Sequence, residues 1–216
     1  MSRPCIDLSL YLVLDPDLCR GFDGMVRTAE IAAQNGATVV QLRAPQWKKR
    51  ELVECGRALK KVLDPLNVPL IVNDHADVCV AVDAAGLHVG QQDLSPDDAR
   101  SLIGPDRLLG LSVSSMAELE AVDTSLVDHL GVGPIFDTAT KKDAAAQLGM
   151  EGFARLAVRK PCPIVAIGSV KAAMAEALFK AGTDGLAVVS AICGQKDPAL
   201  STRLLRKAID ANLACC

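Results

Sequence analysis

The sequence has no block of basic residues and few aromatics to interleave with them: 23 Lys and Arg face 26 Asp and Glu, a net charge of -3, with one Trp, one Tyr and four Phe. That leaves no electrostatic footprint for nucleic acid, so any anion must be met by local groups. No segment reaches the roughly 18 consecutive apolar residues that would span a bilayer. The opening MSRPCIDLSL lacks the long apolar stretch of an export signal, and a cytoplasmic protein without membrane attachment is expected. No CxxC spacing occurs among the eight cysteines, Cys5, Cys19, Cys55, Cys79, Cys162, Cys193, Cys215 and Cys216. Scattered singly through apolar segments, they read as reduced, mostly buried thiols rather than a disulfide scaffold or a zinc site. No linker or low-complexity segment divides the chain.

What is present is a recurring pattern. Eight β-branched apolar runs, SLYLVLD (9–15), TVVQLR (38–43), PLIVND (69–74), GLHVG (86–90), LLGLSV (108–113), VDHLGVG (127–133), PIVAIG (163–168) and GLAVVS (185–190), read as strands. Helical stretches lie between them, including Met25–Asn35, Lys48–Leu63, Pro96–Leu102, Met116–Val122, Glu151–Arg159 and Ala172–Lys180. Several end at a glycine suited to a helix C-terminus, namely Gly36, Gly104 and Gly182. Continuous apolar runs belong to strands covered on both faces, hence to a parallel sheet. With no GxGxxG after the first run, the pattern predicts a single-domain α/β protein, a (β/α)8 TIM barrel over residues 1–216.

In such a barrel the ligand site gathers at the C-terminal strand ends, so the residue that follows each run carries the information. In order these are Asp15; Gln41 and Arg43; Asn73 and Asp74; Gln91, Gln92 and Asp93; Ser112; the GPIFDTATKK loop; Gly168 and Ser169; and Ser190. Asp74 and Asp93 close neighbouring strands, where two carboxylates suit a hard divalent cation such as Mg²⁺ completed by water and phosphate; alternatively each caps the following helix. Arg43 offers a planar fork for phosphate oxygens and Lys141 a point charge, although Arg43 could equally be a structural ion-pair partner. Gly168, Ser169, Val189 and Ser190 fall where many barrels bind phosphate through backbone N–H groups; Gly168 could instead serve only its turn. His88 and His129, inside strands, read as core residues, whereas His75 lies near the rim. Trp47 with Lys48, Lys49 and Arg50 reads as a solvated helix start.

YLVLD, VVQLR, PLIVND, GLHVGQQDL, GLSV, GVGPIFDTATKKD, PIVAIG and DGLAVVSAI, in this order and spacing, resemble the thiamine phosphate synthase family over nearly the whole chain. The resemblance implies a transferase of thiamine biosynthesis. It would couple 4-amino-2-methyl-5-pyrimidinylmethyl diphosphate to 4-methyl-5-(2-phosphoethyl)thiazole and release diphosphate, by a dissociative substitution assisted by Mg²⁺. It further implies Asp74 and Asp93 as metal ligands, and Gln41, Arg43, Asn73, Ser112 and Lys141 as contacts to the pyrimidine and its diphosphate. Arg43, Lys141 and Ser112 are the catalytic group among these. Thr138, Thr140, Gly168, Val189 and Ser190 would hold the thiazole phosphate.

Three positions depart from the family pattern: Pro45 stands where a lysine is expected, Gln92 replaces a glutamate, and Ser169 replaces a glycine. Lys48 or Lys49 is in range to replace the missing cation. The competing readings are a thiazole tautomerase, a Schiff-base aldolase and a phosphate-ligand binding protein without turnover. Both acidic residues argue against the first, and the lack of lysine in every run argues against the second. The partners expected are small molecules, and a homo-oligomer is compatible with all of this.

Overall fold

The computed structural model describes residues 6–137 and 146–213. Strands β1 (Leu10–Val13), β2 (Val39–Leu42), β3 (Leu70–Asn73), β4 (Gly86–Val89), β5 (Leu108–Val113), β6 (His129–Val132), β7 (Ile164–Ala166) and β8 (Gly185–Val188) pair in parallel, each with the next, and β8 closes on β1. The expected barrel is observed.

The strands look uniformly apolar in sequence because both faces are covered, yet successive side chains still point to opposite faces. Leu10, Leu12, Val40, Leu42, Leu70, Val72, Leu87, Leu109, Leu130, Ile164 and Leu186 join the large cluster beneath the helices. The intervening residues Tyr11, Val13, Val39, Ile71, Leu108, Val165 and Ala187 form a separate inner cluster. By the same alternation Gln41, Asn73, His88, Ser112 and His129 face inward. The interior is therefore mixed: polar side chains enter it from β2 to β6, joined by the Tyr11 hydroxyl of β1, whereas the inward residues Val165 of β7 and Ala187 of β8 are apolar.

The outer layer comprises α1 (Pro16–Cys19), α2 (Phe22–Gln34), α3 (Lys49–Leu63), α4 (Ala76–Ala81), α5 (Pro96–Ile103), α6 (Met116–Glu120), α7 (Gly149–Ala157), α8 (Ala175–Lys180) and α9 (Pro198–Leu213). The face of α3 that packs inward carries Leu52, Cys55, Leu59 and Leu63, the spacing of an amphipathic helix. The Ser95 side chain accepts from Asp98 N–H to cap α5, with Pro96 in the first turn. The sequence reading does not extend to α1 and α9. The first is a single turn set by the Asp15 cap and Pro16, too short to show a period. The second buries only Thr202, Leu205 and Ile209 while packing on α8 and α2.

At the N-terminal end of the barrel, three residues that precede even-numbered strands hold the strand before them. Thr38 Oγ1 accepts from Leu10 N–H at 3.0 Å, Asp128 Oδ2 from Leu109 N–H at 2.7 Å, and Asp184 Oδ2 from Ile164 N–H at 2.8 Å. Both carboxylates also carry a cation, Arg100 at 3.0 Å from Asp128 and Lys160 at 2.6 Å from Asp184.

The described cysteines are free thiols: Cys19, Cys55, Cys79 and Cys193 are buried and Cys162 half-buried. Cys5, Cys215 and Cys216 lie outside the described residues. Among the described residues no helix is long and apolar enough to cross a membrane.

Candidate active site

The groups expected at the rim emerge from adjacent strand ends. In register, Asn73 pairs with His88, His88 with Gly110, and Ser112 with Gly131, so Asn73 and Ser112 enter the mouth from either side of β4. Gln41, buried in β2, donates from Nε2 to Tyr11 Oη at 2.9 Å. Burial drives the Tyr11 phenol well above its ordinary pKa range, and it stays protonated. Arg43 follows β2 half-buried. None of the ion pairs between described residues includes it, which removes the alternative of a structural pair with such a residue.

Asp74 extends β3 by one step, its N–H donating to His88 O at 2.8 Å, with φ of 60°. Left-handed backbone is uncommon outside glycine, and Asp is among the residues that tolerate it best. On the next strand, Gly90 N–H donates to Asp93 Oδ2 at 2.8 Å. Both acids are thus anchored within the same short stretch at the end of β4. Neither occupies a helix N-cap, since those positions in α4 and α5 belong to His75 and Ser95, and the capping alternative is not observed. Gln91 Nε2 donates to Ser112 O at 2.7 Å, tying this turn to β5. Among the described residues no group of three or more His, Cys, Asp or Glu side chains could enclose a metal. A pair of carboxylates is fewer protein ligands than a closed metal cage requires.

Across the mouth, the segment after β6 runs beside the end of β7. Ile135 N–H donates to Ile167 O at 2.9 Å, and Ser169 Oγ to Asp137 O at 2.6 Å. Gly168 has φ of 105°, and a Cβ there would lie 2.7 Å from Ile135 N, so this close approach requires glycine. Val189 is half-buried and Ser190 exposed just past β8, in a turn closed by Cys193 N–H to Val189 O at 2.8 Å. Thr138, Thr140 and Lys141 lie outside the described residues.

Asp15, the first polar residue of the rim in sequence, serves as the cap of α1, accepting from Leu18 N–H at 2.9 Å. Lys49 Nζ lies 2.7 Å from Asp77 Oδ1 and 2.9 Å from His75 Nδ1. This places it over the start of α4 rather than at the position of Pro45. Burial, then the Lys49 ammonium, hold the His75 imidazole below its usual pKa. Lys48, Lys49 and Arg50 are exposed at the start of α3, as expected, while Trp47 is half-buried: its ring stacks on Phe22 at 6.4 Å with 9° between planes, and it packs on the core.

A second tier lies below the rim, and the sequence reading assigned its residues only to the core. His88 Nε2 is 3.0 Å from Ser112 Oγ. His129, fully buried, has neither ring nitrogen hydrogen-bonded, and burial lowers its pKa to about 4. The signal that would have found this tier is the two-residue alternation within each run, which puts His88 and His129 on the inner face.

His129 makes stability depend on pH. Its folded pKa lies below the unfolded value, so below about pH 6.5 the unfolded chain binds the additional proton and stability falls with pH. Between pH 7 and 5 this residue accounts for about 2 kcal/mol of lost stability. Urea unfolding at both pH values should show that loss reduced in His129→Asn relative to the parent.

The family model described as "Thiamine monophosphate synthase" matches residues 10–192. A protein named thiamine-phosphate synthase from Laribacter hongkongensis is 53% identical over 203 residues, 94% of this chain and 96% of that one. One of the same name from Xanthobacter autotrophicus is 48% identical, covering 97% and 98% of the two chains. The solved structure of thiamine phosphate pyrophosphorylase from Pyrococcus furiosus superposes with a TM-score of 0.86 at 32% identity, over 96% of this chain and 98% of that chain. A 3-hexulose-6-phosphate synthase structure shares the fold with a TM-score of 0.69 at 17% identity.

Proposed function

The chain belongs to the thiamine monophosphate synthase family, enzymes of the transferase class, and from that premise we propose that it joins the pyrimidinylmethyl diphosphate to the thiazole phosphate, forming thiamine phosphate and diphosphate. The observation that carries the reading is the anchoring of Asp74 and Asp93 at the end of β4, beside Asn73 and Ser112 and opposite the Gly168 turn.

In this reading Asp74 and Asp93 hold Mg²⁺, which when bound neutralises charge on the diphosphate oxygens. Arg43 grips the same group through its planar fork, and Lys141 adds a point charge. Gln41, Asn73 and Ser112 orient the aminopyrimidine. Its amino group feeds electron density toward the exocyclic carbon as the C–O bond to diphosphate breaks, and the thiazole nitrogen then donates its lone pair to that carbon. Thr138, Thr140, Gly168, Val189 and Ser190 fix the thiazole phosphate, so the nucleophile approaches from the β7–β8 side. There the wall is apolar, from Val13, Ile167 and Val189, which keeps water from the electron-poor carbon. No side chain acts as nucleophile or general base; positioning and electrostatics supply the rate.

The test is a diphosphate-release assay with purified protein. Release is expected only with both substrates and Mg²⁺ present, and EDTA should abolish it. Retained thiazole phosphate binding without release would instead identify a binding protein, and isomerisation of a thiazole carboxylate phosphate a tautomerase.

A further inference from the structure

His88 is packed into the barrel interior by a pair of glycines. A Cβ at Gly110 would collide with His88 Nδ1 and come within 2.5 Å of His129 Nε2, and one at Gly131 would lie 3.2 Å from His88 Cε1. The His129 ring is 5.8 Å from that of His88. The imidazole is thus seated between backbone on one side and a second ring on the other, with its Nε2 directed at Ser112 Oγ, 3.0 Å away. Ser112's backbone is fixed independently, through the Gln91 amide on its carbonyl. Its hydroxyl remains free to choose among three staggered positions. A hydrogen bond shared with a wedged ring selects one of them.

We infer that His88 is a positioning residue: it sets the direction of the Ser112 hydroxyl before substrate arrives and acts on the reaction only through it. The inference rests on the assignment of Ser112 as a pyrimidine contact in the proposed reaction. The same construction recurs on β1 and β2, where buried Tyr11 restrains Gln41. The polar part of the interior is accordingly two tiers deep, with the lower tier orienting groups of the upper one.

The experiment is a double-mutant cycle on coupling kinetics with His88→Leu, Ser112→Ala and the combination, together with His88→Gln. One hydrogen bond of this kind corresponds to about a tenfold change in rate. His88→Leu is expected to lower kcat about tenfold with the KM for thiazole phosphate unchanged. His88→Gln, whose side-chain amide reaches the place of Nε2 and can present either a donor or an acceptor there, should recover most of the loss. In the Ser112→Ala background, His88→Leu should add nothing. Equal damage from His88→Leu in both backgrounds, or a His88→Gln variant as impaired as His88→Leu, would show a packing role and overturn the inference while leaving Ser112 in place. A Ser112→Ala enzyme equal to the parent would overturn the Ser112 assignment itself and the inference with it. Should His88→Leu fail to fold, His88→Asn replaces it: one methylene shorter than Gln, it cannot reach Ser112, so activity equal to that of His88→Gln would overturn the inference.

Discussion

Asp93→Asn is expected to lower kcat/KM for coupling at least about 1000-fold while the protein melts within about 4 °C of the parent. The substitution is chosen because Asp93 has two roles at once. Its carboxylate accepts Gly90 N–H and thereby shapes the turn after β4, and in the proposed reaction it would also share the charge of Mg²⁺ with Asp74. Asparagine keeps an oxygen for Gly90 and removes only the charge. A large kinetic loss with intact melting therefore isolates the electrostatic role, which Asp93→Ala would confound with loss of the turn. The double variant with Asp74→Asn should be scarcely worse than either single one, because both would serve the same ion. Near-normal kinetics in Asp93→Asn would remove this carboxylate from the ligand set. Single-turnover diphosphate release and a circular dichroism melt make the two measurements.

At the opposite end of the barrel the expected effect is on stability. Asp128→Ala should destabilise the fold by about 3–5 kcal/mol. It removes the acceptor of Leu109 N–H and one partner of Arg100, with the two ion-paired side chains only 14% and 11% exposed. Arg100 also donates to the carbonyls of Gly104, Arg107 and Leu126, so losing its counter-ion leaves a charge committed to a largely buried network. Activity per folded molecule should be unchanged, since Asp128 precedes β6 and the mouth lies beyond its other end. Urea unfolding with parallel kinetics checks both halves; a variant as stable as the parent would show the network to be dispensable.

These two ends were unequally legible in the sequence. The mouth was readable because strands in a covered sheet are apolar to their last residue, so a polar residue just after each run is exceptional; Gln41, Arg43, Asn73, Asp74 and Asp93 stood out on that basis. The parallel barrel followed from the count and continuity of the runs. Asp128 and Asp184 were not found, because a carboxylate before a strand looks like any solvated loop residue until the partner backbone is seen. His88 was placed in the core, which its burial agrees with, but its bond to Ser112 depends on registers between β4, β5 and β6 that no local pattern carries. Asp15 does stand just past β1, but its carboxylate is taken up by the cap of α1, since Asp before Pro caps a helix as readily as it lines a rim. Lys49 was considered as a replacement cation at Pro45, and its position on Asp77 depends on the separation of α3 and α4, which composition does not encode.

The stacked Trp47 and Phe22 side chains have a practical consequence. Trp47 is the sole indole in the chain, it lies in the connection between Arg43 and α3, and its ring is held against a neighbour from α2. Its emission is a one-site signal from the segment that carries the guanidinium at the mouth. Fluorescence titration can therefore follow events at that segment without an added dye, and separately from those at the Gly168 side.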